Sequence, residues 1–320
     1  MSGRQFVIGT RGSQLALWQA NFVRNELKRL HPGLPVEIEI IKTTGDAVLD
    51  SPLSLIGSKG LFTKEIEQAL LERRVDLAVH SLKDVPTMLP AGLMIAAVSK
   101  REDVRDVFVG HPGKPRLPIE ELPAGAVIAT GSLRRKCQLL SWRPDLRIVD
   151  LRGNLNTRLA KLDRSNWHGI ILAKAGIVRL GAGERITQTI PEDRILPAVG
   201  QGALGIEIRD GDRETLDLVK PLNSEATLIS TNGERALLRV LEGGCQVPIG
   251  AYGRIESGRF LLDGMIGGLD GKKIVRGAIH GEPGESAALG EQLAVVLLKS
   301  GGKELLDRVR HPDLQEVPDS

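Results

Sequence analysis

The feature that most restricts the fold is a pattern met twice. Residues 7–17 read VIGTRGSQLAL, and residues 127–140 read VIATGSLRRKCQLL. Each passes from an apolar, strand-like run through Thr and Gly-Ser into a helical pattern. Strand-then-helix units of this kind build layered α/β folds. Gly-Ser at the start of a helix leaves unpaired backbone N–H groups, and the helix dipole, directed at one spot. The echo therefore points to two α/β units, each offering a helix N-terminus at the same place.

The rest of the chain keeps this rhythm. Residues 4–10 read as a buried strand. A helix follows with Ser13 as N-cap and Leu15, Trp18, Phe22, Leu27 and Leu30 on one stripe. VEIEIIKT (36–43) alternates as a strand does. Residues 43–60, rich in Gly, Ser and Asp, read as one long loop, a kind of segment that is usually functional or disordered. Residues 63–74 read as a helix capped by Thr63, and 75–80 and 93–99 as buried strands. The second unit has a strand at 126–130, a helix at 131–142, then LRIVD, NLNTRLAKLD, GIILA (169–173) and KAGIVRLG. A further strand spans 203–209. The C-terminal third changes character: a helix over 224–242, three strand-like runs and a helix over 286–301 read as a small α+β domain, with Cys245 in the loop that opens its sheet.

Composition narrows the partners. A length of 320 residues exceeds what one core usually serves, about 250–300. Aromatics are 3% of the chain, so the cores must be aliphatic and base-stacking platforms for nucleic acid are scarce. Lys and Arg total 43 against 40 acidic residues, and no long basic run occurs, so a nucleic-acid partner is not expected. Arginine outnumbers lysine, as suits bidentate recognition of carboxylates or phosphates. No stretch approaches the ~18 apolar residues of a membrane span, and the opening MSGRQFVIGTRGS shows neither an apolar h-region nor a cleavage site. The expectation is a soluble cytoplasmic protein. Cys137 and Cys245 do not read as a disulfide framework, and the six histidines lack zinc-ligand spacing, so no metal is expected.

Four motifs carry possible chemistry. VGQGALG contains Gly200, Gly202 and Gly205 in a formal dinucleotide spacing, but Pro197 lies just upstream and a strand follows where a helix is required. A hinge between domains fits better, with Gln201 looking into the cleft. In TGSLRRK (130–136), Arg134 and Arg135 sit in the first turn of a helix, where the dipole disfavours cations. An isolated RRK would be a solvated face. Arg152 and Arg158 at the next helix start, with Arg11 in the matching turn of the first unit, instead read as a polyanion site at the C-terminal ends of strands. HSLKDVP (80–86) places Lys83 beside Asp84; the plain reading is an Asp turn before Pro86, the functional one a carboxylate kept ionised in a cationic cleft. LEGGCQVPIG (241–250) sets Cys245 after two glycines with no His nearby, so a Cys–His pair has no local support. Covalent attachment of a group would require only access to the sulfur.

Together HSLKDVP, SLRRKCQLL, LRGNLNTRL, LPAVGQGALGIE and LEGGCQVPIG, with RGSQLALWQA and GSKGLFTKEIEQALLE, closely resemble the porphobilinogen deaminase (hydroxymethylbilane synthase) family from about Phe6 to the end of the chain. The resemblance implies an α/β fold of two domains like type II periplasmic binding proteins plus a small α+β C-terminal domain: 1–100 with 201–220, 101–200, and 221–320. It implies a dipyrromethane cofactor held through a thioether to Cys245. Four porphobilinogen molecules are then joined head to tail, each losing ammonia to give an azafulvene-like electrophile, before water releases hydroxymethylbilane. Asp84 matches the catalytic carboxylate. Lys83, Thr130, Ser132, Arg134 and Arg135 match cofactor-binding positions. Arg11, Ser13, Gln19, Lys59, Phe62, Arg152, Arg158, Arg179 and Gln201 match substrate-binding positions, and residues 43–60 match a mobile flap. The family also implies a monomer.

The chain departs from the family pattern in two places. Gly131 stands where a serine is usual, which removes a hydroxyl from the anion site. The flap reads Leu55-Ile56-Gly57-Ser58-Lys59-Gly60 where Lys-Val-Gly-Gly-Lys-Gly is usual, which removes one cation. Neither touches Asp84, Cys245 or the main arginines. A different class of reading, a non-catalytic anion-binding module of the same fold, would leave Cys245 unmodified.

Overall fold

A computed structural model describes residues 4–47, 62–241 and 247–310. In chain order these form β1 (Phe6–Thr10), α1 (Gln14–Leu30), β2 (Val36–Ile40), α2 (Thr44–Ala47), α3 (Lys64–Leu71), β3 (Leu77–Ser81), β4 (Leu93–Val98), β5 (Asp106–Gly110), β6 (Val127–Ala129), α4 (Leu133–Trp142), β7 (Arg147–Val149), α5 (Leu155–Asp163), β8 (Gly169–Ala173), α6 (Lys174–Arg179), β9 (Gln188–Thr189), β10 (Leu204–Arg209), α7 (Arg213–Val219), α8 (Glu225–Val240), β11 (Ile249–Glu256), β12 (Arg259–Gly267), β13 (Ile274–Gly281), α9 (Ser286–Leu297) and α10 (Lys303–Arg310).

The duplicated reading is borne out by topology. One sheet runs β2-β1-β3-β10-β4 and another β7-β6-β8-β5-β9. In both, the first strand of the unit pairs in parallel with the second and third (β1 with β2 and β3; β6 with β7 and β8). A strand arriving from the other lobe then inserts antiparallel between the third and fourth: β10 in the first sheet, β5 in the second. The chain thus crosses between lobes twice, after β4 and after β9. Both sheets are covered by helices, so their strands read as nearly continuous apolar runs rather than alternating ones. β3 and β8 are buried along all but their last residue.

The sheet β11-β12-β13 is a purely antiparallel meander packed by α8 and α9. Its core of Leu237, Ala251, Phe260, Leu262, Ile266, Leu293 and Leu297 is separate from those of the two lobes. A buried ion pair ties it to the crossovers. Arg101 donates to Glu234 on α8 at 2.6 and 3.1 Å and to the Gln201 carbonyl at 2.8 Å, while Glu234 also accepts from the Gly200 and Gly253 amides. Gly202 has φ +92°, and a Cβ there would lie 2.5 Å from the Glu102 carbonyl oxygen. The glycines of VGQGALG therefore serve the backbone of the second crossover, as a hinge would require.

Some local expectations fail. α1 buries Gln19, Ala20, Val23 and Leu27, whereas Trp18 and Phe22 are 37% and 40% exposed and stack on each other at 5.5 Å. Their flank of the helix is turned away from the sheet, and the Arg179 guanidinium lies over Trp18. Thr63 precedes α3 in a right-handed helical conformation and makes no side-chain capping bond, because an N-cap needs extended backbone to aim its oxygen. The region 43–60 is not all loop, since α2 occupies its start. Its remainder from 48 on, with Leu55, Ser58 and Lys59, lies outside the described residues, and so does Cys245.

Candidate active site

β3 ends at Ser81 and passes into a tight 3-10 turn, Leu82–Asp84. Leu82 is buried and anchors the turn: its amide donates to the Ala203 carbonyl, and the Val85 amide donates back to Leu82. Lys83 therefore lies half-buried and Asp84 exposed at the sheet's C-terminal edge. From α8, Arg235 donates to the Val85 and Pro86 carbonyls at 3.0 and 2.7 Å and braces the far side of the turn.

Opposite, the start of α1 is fixed by Ser13, whose Oγ accepts from the Ala16 amide, so Arg11 and Ser13 stand at the helix N-terminus. Gln19 Nε2 donates to Ser81 Oγ at 2.7 Å and joins the helix to β3. The Arg11 guanidinium sits 4.2 Å above the Phe62 ring. A small pocket of about 70 Å³ lies between these elements, lined by Arg11, Ser13, Gln19, Phe62, His80, Ser81 and Asp84 among others. Four site residues named from sequence, Arg11, Ser13, Gln19 and Phe62, thus share one cavity with the Asp84 carboxylate.

The second lobe supplies the cations. Ser132 caps α4 through a bond from the Arg135 amide, and Thr130 Oγ1 accepts from the Ser132 amide. Arg134 and Arg135, expected to project as cleft cations, are buried. Both close on Asp106 at the start of β5, each at 2.8 Å, and Arg134 and Arg135 donate further to the Leu196 and Ile171 carbonyls. Gln201 is 1% exposed, and its amide donates to Asp106 and the Val104 carbonyl. It is turned onto this cluster rather than toward an open cleft, because Asp106 is the charge its N–H groups can satisfy. Arg179 is likewise drawn to the Gly202 carbonyl at 2.7 Å. Arg152 pairs with Asp150 at 2.8 Å, and Arg158 donates to the Gly153 carbonyl.

The electrostatics show one connected field. Desolvation holds the Lys83 ammonium below its ordinary value, opposed by Asp84 and Asp106 and reinforced by Arg135 and Arg158. Desolvation likewise lowers Arg158 to about 10, with Arg135 and Arg152 adding to the effect and Asp84 and Asp150 opposing it. Asp106 is held well below the carboxylate range: burial alone would raise it, but Arg134 and Arg135 outweigh burial. Two carboxylates, Asp84 and Asp106, thus stand among Lys83, Arg134, Arg135 and Arg158. Arg135 Nε is buried without a hydrogen-bond partner. Such a surplus of cations fits a group rich in carboxylates.

Sequence reasoning missed Asp106, Glu234 and the buried His80–Glu207 pair, Nε2 to Oε2 at 2.9 Å. For Asp106 one clue was available, since two adjacent arginines that point inward need a counter-charge. Among the described residues no cluster of His, Cys, Asp or Glu is arranged to hold a metal ion.

Fold and site together define a two-lobed α/β protein with a cationic site around one exposed carboxylate, Asp84, and one buried one, Asp106, joined to a third α+β unit. The model for the porphobilinogen deaminase, dipyromethane cofactor binding domain matches residues 6–217, and that for the porphobilinogen deaminase C-terminal domain matches residues 228–299. The porphobilinogen deaminase of Pelotomaculum thermopropionicum is 50% identical over 98% of this chain and 99% of that protein. That of Chlorobaculum tepidum is 51% identical over 96% and 98%. The chain belongs to the porphobilinogen deaminase family. Among solved structures, the BenM effector-binding domain overlaps loosely, with 14% identity, 75% of this chain and 93% of that one covered, and a TM-score of 0.38.

Proposed function

We propose that this chain joins four porphobilinogen molecules head to tail with loss of ammonia and releases hydroxymethylbilane by hydrolysis. The observation that carries the reading is the exposed carboxylate, Asp84, set in a field of Lys83, Arg135 and Arg158 at the edge of a pocket. Each pyrrole brings an acetate and a propionate, so a growing chain needs many cations. Its reacting centre, by contrast, becomes positive as ammonia departs and needs an anion.

In this account Asp84 accepts the pyrrole N–H and balances that positive charge; a neutral amide could accept the bond without balancing the charge. Arg11, Ser13, Gln19, Lys59 and Phe62 hold the incoming substrate, and Arg152, Arg158, Arg179 and Gln201 hold older rings or the hinge around them. Arg134 and Arg135, with Lys83, Thr130 and Ser132, form the cofactor's anion site, aimed by Asp106. Dipyrromethane held through Cys245 would supply the free α-carbon from which the chain would grow. We take the domains as 1–100 with 201–220, 101–200 and 221–320, supported by the place of β10 in the first sheet. We take the chain to act as a cytoplasmic monomer on the family resemblance; no described helix is long and apolar enough to cross a membrane.

The test is stoichiometric. Purified protein supplied with porphobilinogen should release four ammonia per tetrapyrrole formed. Binding of porphobilinogen without ammonia release would instead favour a non-catalytic anion-binding module.

A further inference from the structure

Beneath the pocket lies a buried cluster that the account above leaves without a task. His80, near the end of β3, lines the pocket, yet only 6% of its surface is exposed. Its Nε2 lies 2.9 Å from Glu207 Oε2 on β10, and Glu207 is fully buried. Glu67 on α3 is also buried and within electrostatic reach of both. Glu67 Oε1 and Glu207 Oε1 have no hydrogen-bond partner. Burial pushes the Glu67 carboxyl up, and the Arg235 guanidinium is within electrostatic reach of Glu207; two acidic groups taken out of water behind one imidazole still favour a positive partner on its pocket side. The charged side chains otherwise lining the pocket are Arg11, which suits the carboxylates of a substrate and would repel its amine, and Asp84, which the function proposed above assigns to the pyrrole N–H.

We propose that His80, oriented by Glu207, is the subsite for the aminomethyl ammonium of the incoming porphobilinogen. The inference rests on the function proposed above and deepens it. When Nε2–H donates to Glu207, the imidazole keeps an acceptor lone pair on Nδ1. An ammonium carries three donors and no acceptor, so it matches an imidazole backed by carboxylates and mismatches a guanidinium. In the cleavage step the C–N bond breaks with its electron pair going to nitrogen. Ammonia leaves neutral, and the positive charge passes to the pyrrole system that Asp84 faces. His80 takes no proton and gives none. Because the ammonium's charge is present before the bond breaks and is leaving the nitrogen as it breaks, the His80 contact is not strengthened in the transition state. It therefore governs substrate binding and choice of leaving group more than kcat.

The test compares porphobilinogen with its analogue bearing hydroxymethyl in place of aminomethyl, which is uncharged at that carbon. A hydrogen bond to a charged group contributes about 1.5–3 kcal/mol, a factor of roughly 10 or more. His80→Ala should raise KM for porphobilinogen by about that factor with kcat within about threefold, while KM for the analogue stays unchanged. His80→Gln, which keeps an acceptor oxygen, should recover part of the loss. Glu207→Gln, close to Glu207 in volume, should shift the amine-to-alcohol preference in the same direction and guards against a misfolded alanine variant. Equal losses for both compounds, or none for either, would overturn the subsite alone. A wild-type chain that releases no ammonia from porphobilinogen would overturn the parent reading and the subsite with it.

Discussion

Replacing Asp106 with asparagine isolates what holds the anion site together. Asp106 is fully buried, and its two oxygens take Arg134 and Arg135 at 2.8 Å each and Gln201 at 2.9 Å. Asparagine keeps the shape but removes the charge and turns an amide NH2 toward these donors. Two guanidinium groups are then left buried without a counter-charge, a change that costs about 3–5 kcal/mol when one partner of a buried pair is lost. At roughly 2–4 °C per kcal/mol for a chain of this order, Tm should fall by about 6–20 °C at pH 7. The pH dependence gives a second handle. The folded pKa of Asp106 is depressed, so its contribution is complete above the ordinary carboxylate value of about 3.9 and fades as pH falls from there through the folded value. The gap between wild type and Asp106→Asn should therefore be flat from pH 8 to 5 and narrow only below about 4. Thermal melts followed by circular dichroism across this range are the assay. A variant melting within about 2 °C of wild type at pH 7, less than the shift for 1 kcal/mol, would refute the claim that Asp106 organises the two arginines.

Three further outcomes are expected. Gly131→Ser, which restores the usual family residue, should destabilise by about 1–3 kcal/mol in urea titrations, because a Cβ there lies 2.6 Å from the Leu151 carbonyl oxygen. Cys137 is buried, and desolvation pushes its thiol up to about 12, so iodoacetamide at pH 8 should leave it unlabelled in the native protein and alkylate it after denaturation, as read by peptide mass mapping. Asp84→Ala should keep the wild-type Tm, since Asp84 is exposed, while ammonia release nearly stops; turnover like wild type would remove Asp84 from the reaction.

Much of the fold was legible because its signals are local. The strand, Gly-Ser and helix echo returns as β1–α1 and β6–α4, with Ser13 and Ser132 both accepting capping bonds. The hinge reading of VGQGALG rested on Pro197 and a following strand, and Gly200 and Gly202 do have positive φ. Failures came where tertiary placement decides. Trp18 and Phe22 satisfy a helical stripe, but the sheet takes up the face of Ala20, Val23 and Leu27 instead. β5 escaped notice because DVFVG is a short apolar run without alternation, and such a buried strand has no period to detect. The site divides in the same way. Arg134 and Arg135 stood out as cations in the first turn of a helix, yet their anchor lies 28 and 29 residues away. His80 and Glu207 are separated by 127 residues, and only the antiparallel insertion of β10 beside β3 brings them together.

The central claim is that this chain builds a pyrrole polymer on its own cysteine, and intact mass spectrometry tests it most directly. After incubation with porphobilinogen, the wild-type protein should carry an added mass of two linked pyrrole units, localised by digestion to the peptide containing Cys245, and Cys245→Ser should carry none. An unmodified wild-type chain after that incubation, or a serine variant that gains the same mass and turns over, would contradict the account.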